Sequence, residues 1–170
     1  MHELKNSNND TIPQRPSLSD NALKKVVVER GVHLLYSSKG NPFRDSDRTA
    51  LIQSLNKHYH LHIDTYALAK YFEIDSWDVD AEFIDSLDCV IPYIEEALRA
   101  ATMDWYKIYQ PVSPFKIGAQ IKQFGYKDSE SGVIESISED IPATYRVKPL
   151  QGHNVTRRLL IKFEDAVLVT

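Results

Sequence analysis

The stretch IYQPVSPFKIGAQI, residues 108–121, divides this chain into two kinds of sequence. Before it, Ile94, Leu98, Ala101, Trp105 and Ile108 recur three or four residues apart, the period of one helix face. After Pro114 the period becomes two: Phe115, Ile117, Ala119 and Ile121 alternate with polar neighbours, as on a strand with one buried face. Between the two lie Pro111 and Pro114, which lack the N–H that a helix needs and clash with its preceding turn. The spacing therefore predicts an α+β protein, with a helical unit over residues 19–110 and a strand unit over residues 111–170. Charge divides at the same place. Residues 1–110 carry 12 Lys/Arg against 17 Asp/Glu, a formal charge of −5, whereas residues 111–170 carry 8 against 7 and are formally +1.

A chain of 170 residues suffices for one ordinary domain or two small ones, and buries roughly 70% of its unfolded surface. Its 42% apolar and 26% charged content are those of an ordinary globular protein. The net charge of −4 argues against generic attraction of the whole chain to nucleic acid or anionic membranes, while leaving room for a local basic patch. Cys89 is the one cysteine, so no intramolecular disulfide can form and a reducing compartment is expected. Residues Met1 to Ser19 contain no apolar core of a signal peptide, and no segment approaches the ~20 apolar residues of a membrane span. A cytoplasmic protein with no membrane association is expected.

Residues 1–18 are rich in Asn, Ser and Pro, from Asn6-Ser7-Asn8-Asn9 to Pro13 and Pro16, and are expected to be a disordered tail. Ser19 or Asp20 can cap a helix to about Tyr36, although Val26-Val27-Val28 and Gly31 disfavour helix and leave a strand as the alternative. Asp45 or Ser46 opens a clearer helix bearing Leu51, Ile52, Leu55 and Tyr59. A short helix follows from Asp64 or Thr65 through Phe72. Another, entered at Asp75, presents Trp77, Ala81, Ile84 and Leu87 inward and Asp78, Glu82, Asp85 and Asp88 outward. Pro92 marks a boundary or a kink between that helix and the last one, since proline is tolerated only in a first helical turn. Four to five helices are thus anticipated.

Downstream, Gly132-Val133-Ile134, Tyr145-Arg146-Val147-Lys148, Leu159–Phe163 and Ala166–Val169 read as four further strands divided by turn residues. Five short strands carrying Ile117-Gly118, the glycine-to-apolar step at Gly132, and Tyr145-Arg146-Val147 resemble an SH3-like small β-barrel, the group that includes Tudor and KOW-type modules. The resemblance covers the C-terminal third of the chain. It implies a docking module for peptide, nucleic acid or another subunit.

Chemistry-bearing patterns are sparse. His58, His60 and His62 alternate; on a strand, neighbours two apart share a face that could meet zinc, but the outer pair would lie about 13 Å apart, too far for one ion. On a helix, His58 and His62 are instead i,i+4 neighbours near a helix end. Leu68-Ala69, Glu73-Ile74-Asp75 and Val79 have helix-turn-helix spacing. Glu73 stands where that turn usually has glycine, and Asp78, Asp80, Glu82, Asp85 and Asp88 would be repelled by phosphate. The same acidic run, residues 78–88, could face the basic site of an enzyme or toxin, as inhibitor and immunity proteins do as a class; a solvated helix face is the plainer use. It lacks the glycine and distal glutamate of a calcium loop. Cys89 sits among apolar residues and reads as an inert thiol. Glu95 and Glu96 point apart on a helix, so they make no acid–base pair. No phosphate-cradling or nucleophile-elbow motif is present.

The expectation is a non-enzymatic, regulatory interaction protein of bacterial type that binds a protein partner and needs neither cofactor nor metal. Its candidate partner-binding residues are Trp105, Tyr106 and Tyr109 beside the linker, and Tyr126, Tyr145, Arg157 and Arg158 in the strand unit, because aromatic and arginine anchors dominate interfaces. Tyr126, Lys127, Tyr145, Arg146, Lys148, Arg157 and Arg158 also mix rings with cations, which supports single-stranded nucleic acid as an alternative ligand.

Overall fold

The computed structural model describes residues 3–125, 131–150 and 157–169. The chain is α+β, with helices preceding a five-stranded antiparallel sheet. It resolves into two compact units: residues 16–102, and residues 1–15 together with 103–170.

In the first unit α1 (Asn21–Ser37) starts where the Asp20 carboxylate accepts the Ala22 and Leu23 N–H groups, satisfying donors that the first turn leaves open. The valine run, ambiguous in sequence, is helical because Val27 and Val28 are buried, and packing outweighs the few tenths of a kcal/mol that β-branching costs. Gly31 is required here: a Cβ would sit 2.7 Å from the Ile94 Cα. A 3-10 turn at Asp45–Asp47 leads into α2 (Arg48–His58), and Asp64 caps α3 (Thr65–Ile74) by accepting the Ala67 N–H. These helices enclose a core including Val32, Leu35, Leu51, Leu55, Leu68 and Phe72.

The fourth helix, α4, runs from Ala81 to Tyr109 with Pro92 inside it. The two helices expected around Pro92 are therefore one. Proline there removes the donor for the Asp88 carbonyl, and both Asp88 and Pro92 are exposed, where water can replace it. The helix begins at Ala81, beyond the expected entry at Asp75, because Asp80 takes the capping role and accepts the Phe83 N–H at 2.8 Å. The apolar stripe also stops early: Trp105 is buried, but Ile108 is 69% exposed.

In the second unit the strands β1 (Gln120–Gln123), β2 (Gly132–Ile137), β3 (Thr144–Pro149), β4 (Leu159–Lys162) and β5 (Ala166–Leu168) lie in the order β4-β3-β2-β1-β5. The ladder between β2 and β3 slips at Glu135, between Ile134 and Ser136, the signature of a bulge. The first strand begins at Gln120 and not at Phe115, since Ala119 closes a turn on the Lys116 carbonyl and Gly118 takes φ 90°; Ile117 is left exposed.

A closed barrel is not formed. Among the described residues, β4 and β5 are the two edges of the sheet and do not pair with each other. Yet they are joined by only a three-residue 3-10 turn, Phe163–Asp165. Four interstrand spacings span about 19 Å when flat, while such a turn rises only about 6 Å. The sheet must therefore curl so that its edges approach. Ile121, Ile134, Tyr145, Val147, Ile161 and Phe163 fill the concave side.

Residues 3–15 depart most from expectation. Instead of a free tail they place Leu4 and Ile12 in the core of the sheet unit. The asparagine-rich stretch is turn chemistry: Asn6 Oδ1 accepts the Asn8 and Asp10 N–H groups, Asn9 has φ 68°, and Ile12 N–H returns to the Leu4 carbonyl. Asparagine tolerates both the side-chain-to-backbone bond and the left-handed conformation that such a turn needs.

Candidate functional site

A cleft of about 620 Å³ lies in the helical unit, between the loop before α2 and the start of α4. Phe43, Trp77 and Phe83 line it together with Asp47, Asp78 and Glu82. The rings form one cluster: Phe43 meets Phe83 edge-on at 5.9 Å between centroids, and Trp77 lies 5.4 Å from Phe83. Such edge and tilted arrangements are the favourable ones for quadrupolar rings. Two of the rings have a local reason to be there. Asp80 caps α4 and thereby turns Phe83 inward, while Ser76, at φ 68°, redirects the chain so that Trp77 folds back toward α2.

Beneath the cleft a polar network holds Trp77. Its Nε1–H donates to Ser54 Oγ at 3.1 Å, and that hydroxyl donates to Asp75 Oδ2 at 3.0 Å. Asp75 also accepts from Lys57 Nζ at 2.6 Å and meets His58 Nε2 at 3.0 Å. The Lys57 hydrogen bond, with those of Ser54 and His58, holds the Asp75 carboxyl below the usual carboxylate range. Between Lys70 and Arg99 the chain has nine carboxylates and no basic residue, so the surroundings of the cleft are acidic. Asp78 and Glu82 are exposed, and their carboxylates have no hydrogen-bond or ion-pair partner among the described residues. Arg44 is the one cation in the lining.

No match was found to any protein-family model, curated protein or solved structure.

The residues expected to bind a partner do not form one surface. Trp105 is a core residue, 5% exposed, donating its indole N–H to the Pro13 carbonyl beneath the Arg15 guanidinium. Tyr145 has no accessible surface; its hydroxyl accepts the Phe115 N–H at 2.9 Å and meets Ser113 Oγ at 2.8 Å. Both were expected at the surface and instead serve packing. Tyr109 is partly buried against the same core, Tyr106 is 37% exposed, Arg157 is exposed, and Arg158 is ion-paired with Glu135. Tyr126 and Lys127 lie outside the described residues. With Tyr145 interior, the mixture of rings and cations named for nucleic acid loses its stacking ring in β3, while Arg146 and Lys148 point outward.

The histidines are similarly dispersed. His58 stacks on Tyr71 at 4.7 Å and binds Asp75, whereas His60 meets the Leu61 carbonyl. Among the described residues no three His, Cys, Asp or Glu are placed to hold a metal ion. The expected acidic helix face is reassigned in part: Asp78 and Asp80 precede α4, and Asp88 accepts the Thr65 hydroxyl. Cys89 is exposed, contrary to the expected apolar setting. The cleft itself went unread because Phe43 stands far from Trp77 and Phe83 in sequence. The stretch without a Lys or Arg was its one visible signal.

Proposed function

We propose that this is a non-enzymatic, regulatory protein whose helical unit captures a protein partner carrying a basic segment. The observation that carries this reading is the cleft, where aromatic surface and carboxylates without counter-ions occur together. Aromatic rings supply contact area at low entropic cost, and unpaired carboxylates favour a cationic partner and repel acidic ones. An inhibitor or immunity protein acting on a basic enzyme or toxin is the form of this reading that the acidic start of α4 supports.

For the sheet unit we propose an SH3-like barrel type of module. The strand order and the three-residue passage from β4 to β5 support it. Closure in solution would protect the outward amides of both edge strands from hydrogen exchange; rapid exchange at both edges would count against it.

The test of partner binding compares affinity capture from the native host by full-length wild type and by the Asp78→Asn/Glu82→Gln variant. Partners held by the cleft should be retained by the wild type at low salt, weakened at high salt, and lost from the variant. Identical sets of captured proteins, at identical yields, would remove the cleft from the reading.

A further inference from the structure

We infer that the cleft receives one arginine side chain of its partner, with the guanidinium against the Trp77 indole and between the Asp78 and Glu82 carboxylates. This rests on the protein-binding reading above and adds the identity of the group recognised.

Three observations converge on it. First, the cleft is lined by Phe43, Trp77 and Phe83, and a cation over an aromatic face is attracted by the ring quadrupole, most strongly by tryptophan. Second, the carboxylates of the lining are not equivalent. Asp75 is occupied by Lys57, Ser54 and His58, Asp80 by the Phe83 N–H, and Asp47 by the Ser46 hydroxyl. Asp78 and Glu82 remain without partners among the described residues, so the acceptors left over are those beside the indole's own chain segment. Third, Trp77 is fixed before any ligand arrives, because its N–H is held by a Ser54 hydroxyl that is itself buried and bound to Asp75. A ring already oriented loses little entropy on binding.

Guanidinium suits this arrangement better than ammonium. It is planar, stacks on an indole, is weakly hydrated, and donates in a fork to carboxylates, whereas a lysine head is a compact and strongly hydrated charge. The cleft, at about 620 Å³, has room for the residues flanking the arginine as well. Arg44 also lines the cleft, and its like charge disfavours a guanidinium placed beside it.

The probe is Nα-acetyl-arginine amide, titrated into the full-length protein while the indole N–H resonances are followed by NMR. The Trp105 indole, bonded to the Pro13 carbonyl in the other unit, is the internal reference. The Trp77 resonance should move saturably with the arginine probe. The lysine analogue should bind at least about threefold more weakly, the neutral norleucine analogue should leave the resonance in place, and Asp78→Asn/Glu82→Gln should weaken the arginine probe about fivefold or more. An unmoved Trp77 signal, an equal response to norleucine, or lysine binding as well as arginine would overturn the inference. If the charge variant loses its captured partner while the arginine probe leaves Trp77 unmoved, the protein-binding reading stands and this inference falls. A Trp77 response specific to arginine, with capture unchanged by the charge variant, supports arginine as the group the cleft takes and shows that the proteins captured from the host are not held through it.

Discussion

Tyr59 ends α2 with 1% of its surface exposed, and its hydroxyl has no hydrogen-bond partner among the described residues. Burial, with the nearby Glu95 carboxylate, pushes the phenol up to about 12. The unfolded chain therefore ionises first as pH rises past about 10. Stability attributable to this residue is intact below that point and is lost as pH climbs toward the folded value, at up to about 1.4 kcal/mol per pH unit. Tyr59→Phe removes both the orphan hydroxyl and the titration. It should leave stability at neutral pH unchanged or raised by up to about 1 kcal/mol. Urea melts at pH 7 and above pH 10 would show this; a variant that loses stability alkaline-side as steeply as wild type would refute it. Tyr145 offers the contrast, since its equally buried hydroxyl is engaged by Ser113 and Phe115.

Among the elements, the N-terminal segment shows best how a polar-looking stretch becomes structural. Arg15 is 7% exposed at its side chain and pairs with Glu164, 12% exposed, at 2.6 Å. It also donates to the Pro142 and Ala143 carbonyls, and its guanidinium lies 5.5 Å from the Trp105 ring centroid. One side chain thus ties residues 3–15 to the turn before β3, to the 3-10 turn before β5, and to the end of α4. Removing it leaves the Glu164 carboxylate buried without its partner. Arg15→Ala should cost about 3–5 kcal/mol in the melting of the sheet unit, and Arg15→Lys should recover only part, because an ammonium cannot serve carboxylate and both carbonyls in one plane. A loss under 1 kcal/mol for Arg15→Ala would show that the segment is not anchored in this way. Composition pointed to disorder here because it counts residue types, whereas two apolar side chains and one arginine decide the packing.

Across the molecule, charge is distributed unevenly. Residues 16–102 carry 9 Lys/Arg against 14 Asp/Glu, and the other unit carries 11 against 10. Asp75 stands at the centre of the acidic unit with its carboxyl held low, first by Lys57. A lowered folded value means that its contribution is present above the unfolded value near 3.9 and is lost as pH falls through the folded one. Wild type should therefore exceed Asp75→Asn in stability at pH 6, and the gap should close below pH about 4. Denaturation midpoints of the two proteins across that range check the sign; a gap that persists to pH 2 would assign the difference to packing and not to charge.

How much of this was legible in the chain follows from the range of each interaction. The change of period across Pro111 and Pro114, the stripe from Ile94 to Trp105, and the alternation in β2 to β4 are local, set by neighbours within a turn or a strand, so they could be read from spacing alone. Pro92 was misread because its cost depends on whether the freed carbonyl meets water. The burial of Trp105 and Tyr145, the seating of Leu4 and Ile12, and the meeting of Phe43 with Phe83 depend on partners far along the chain; Arg15 and Glu164 are 149 residues apart. Local spacing sets which face of an element is apolar. What that face meets, and which carboxylates are left without a partner around a cleft, is decided only when distant segments compete for the same contacts in three dimensions.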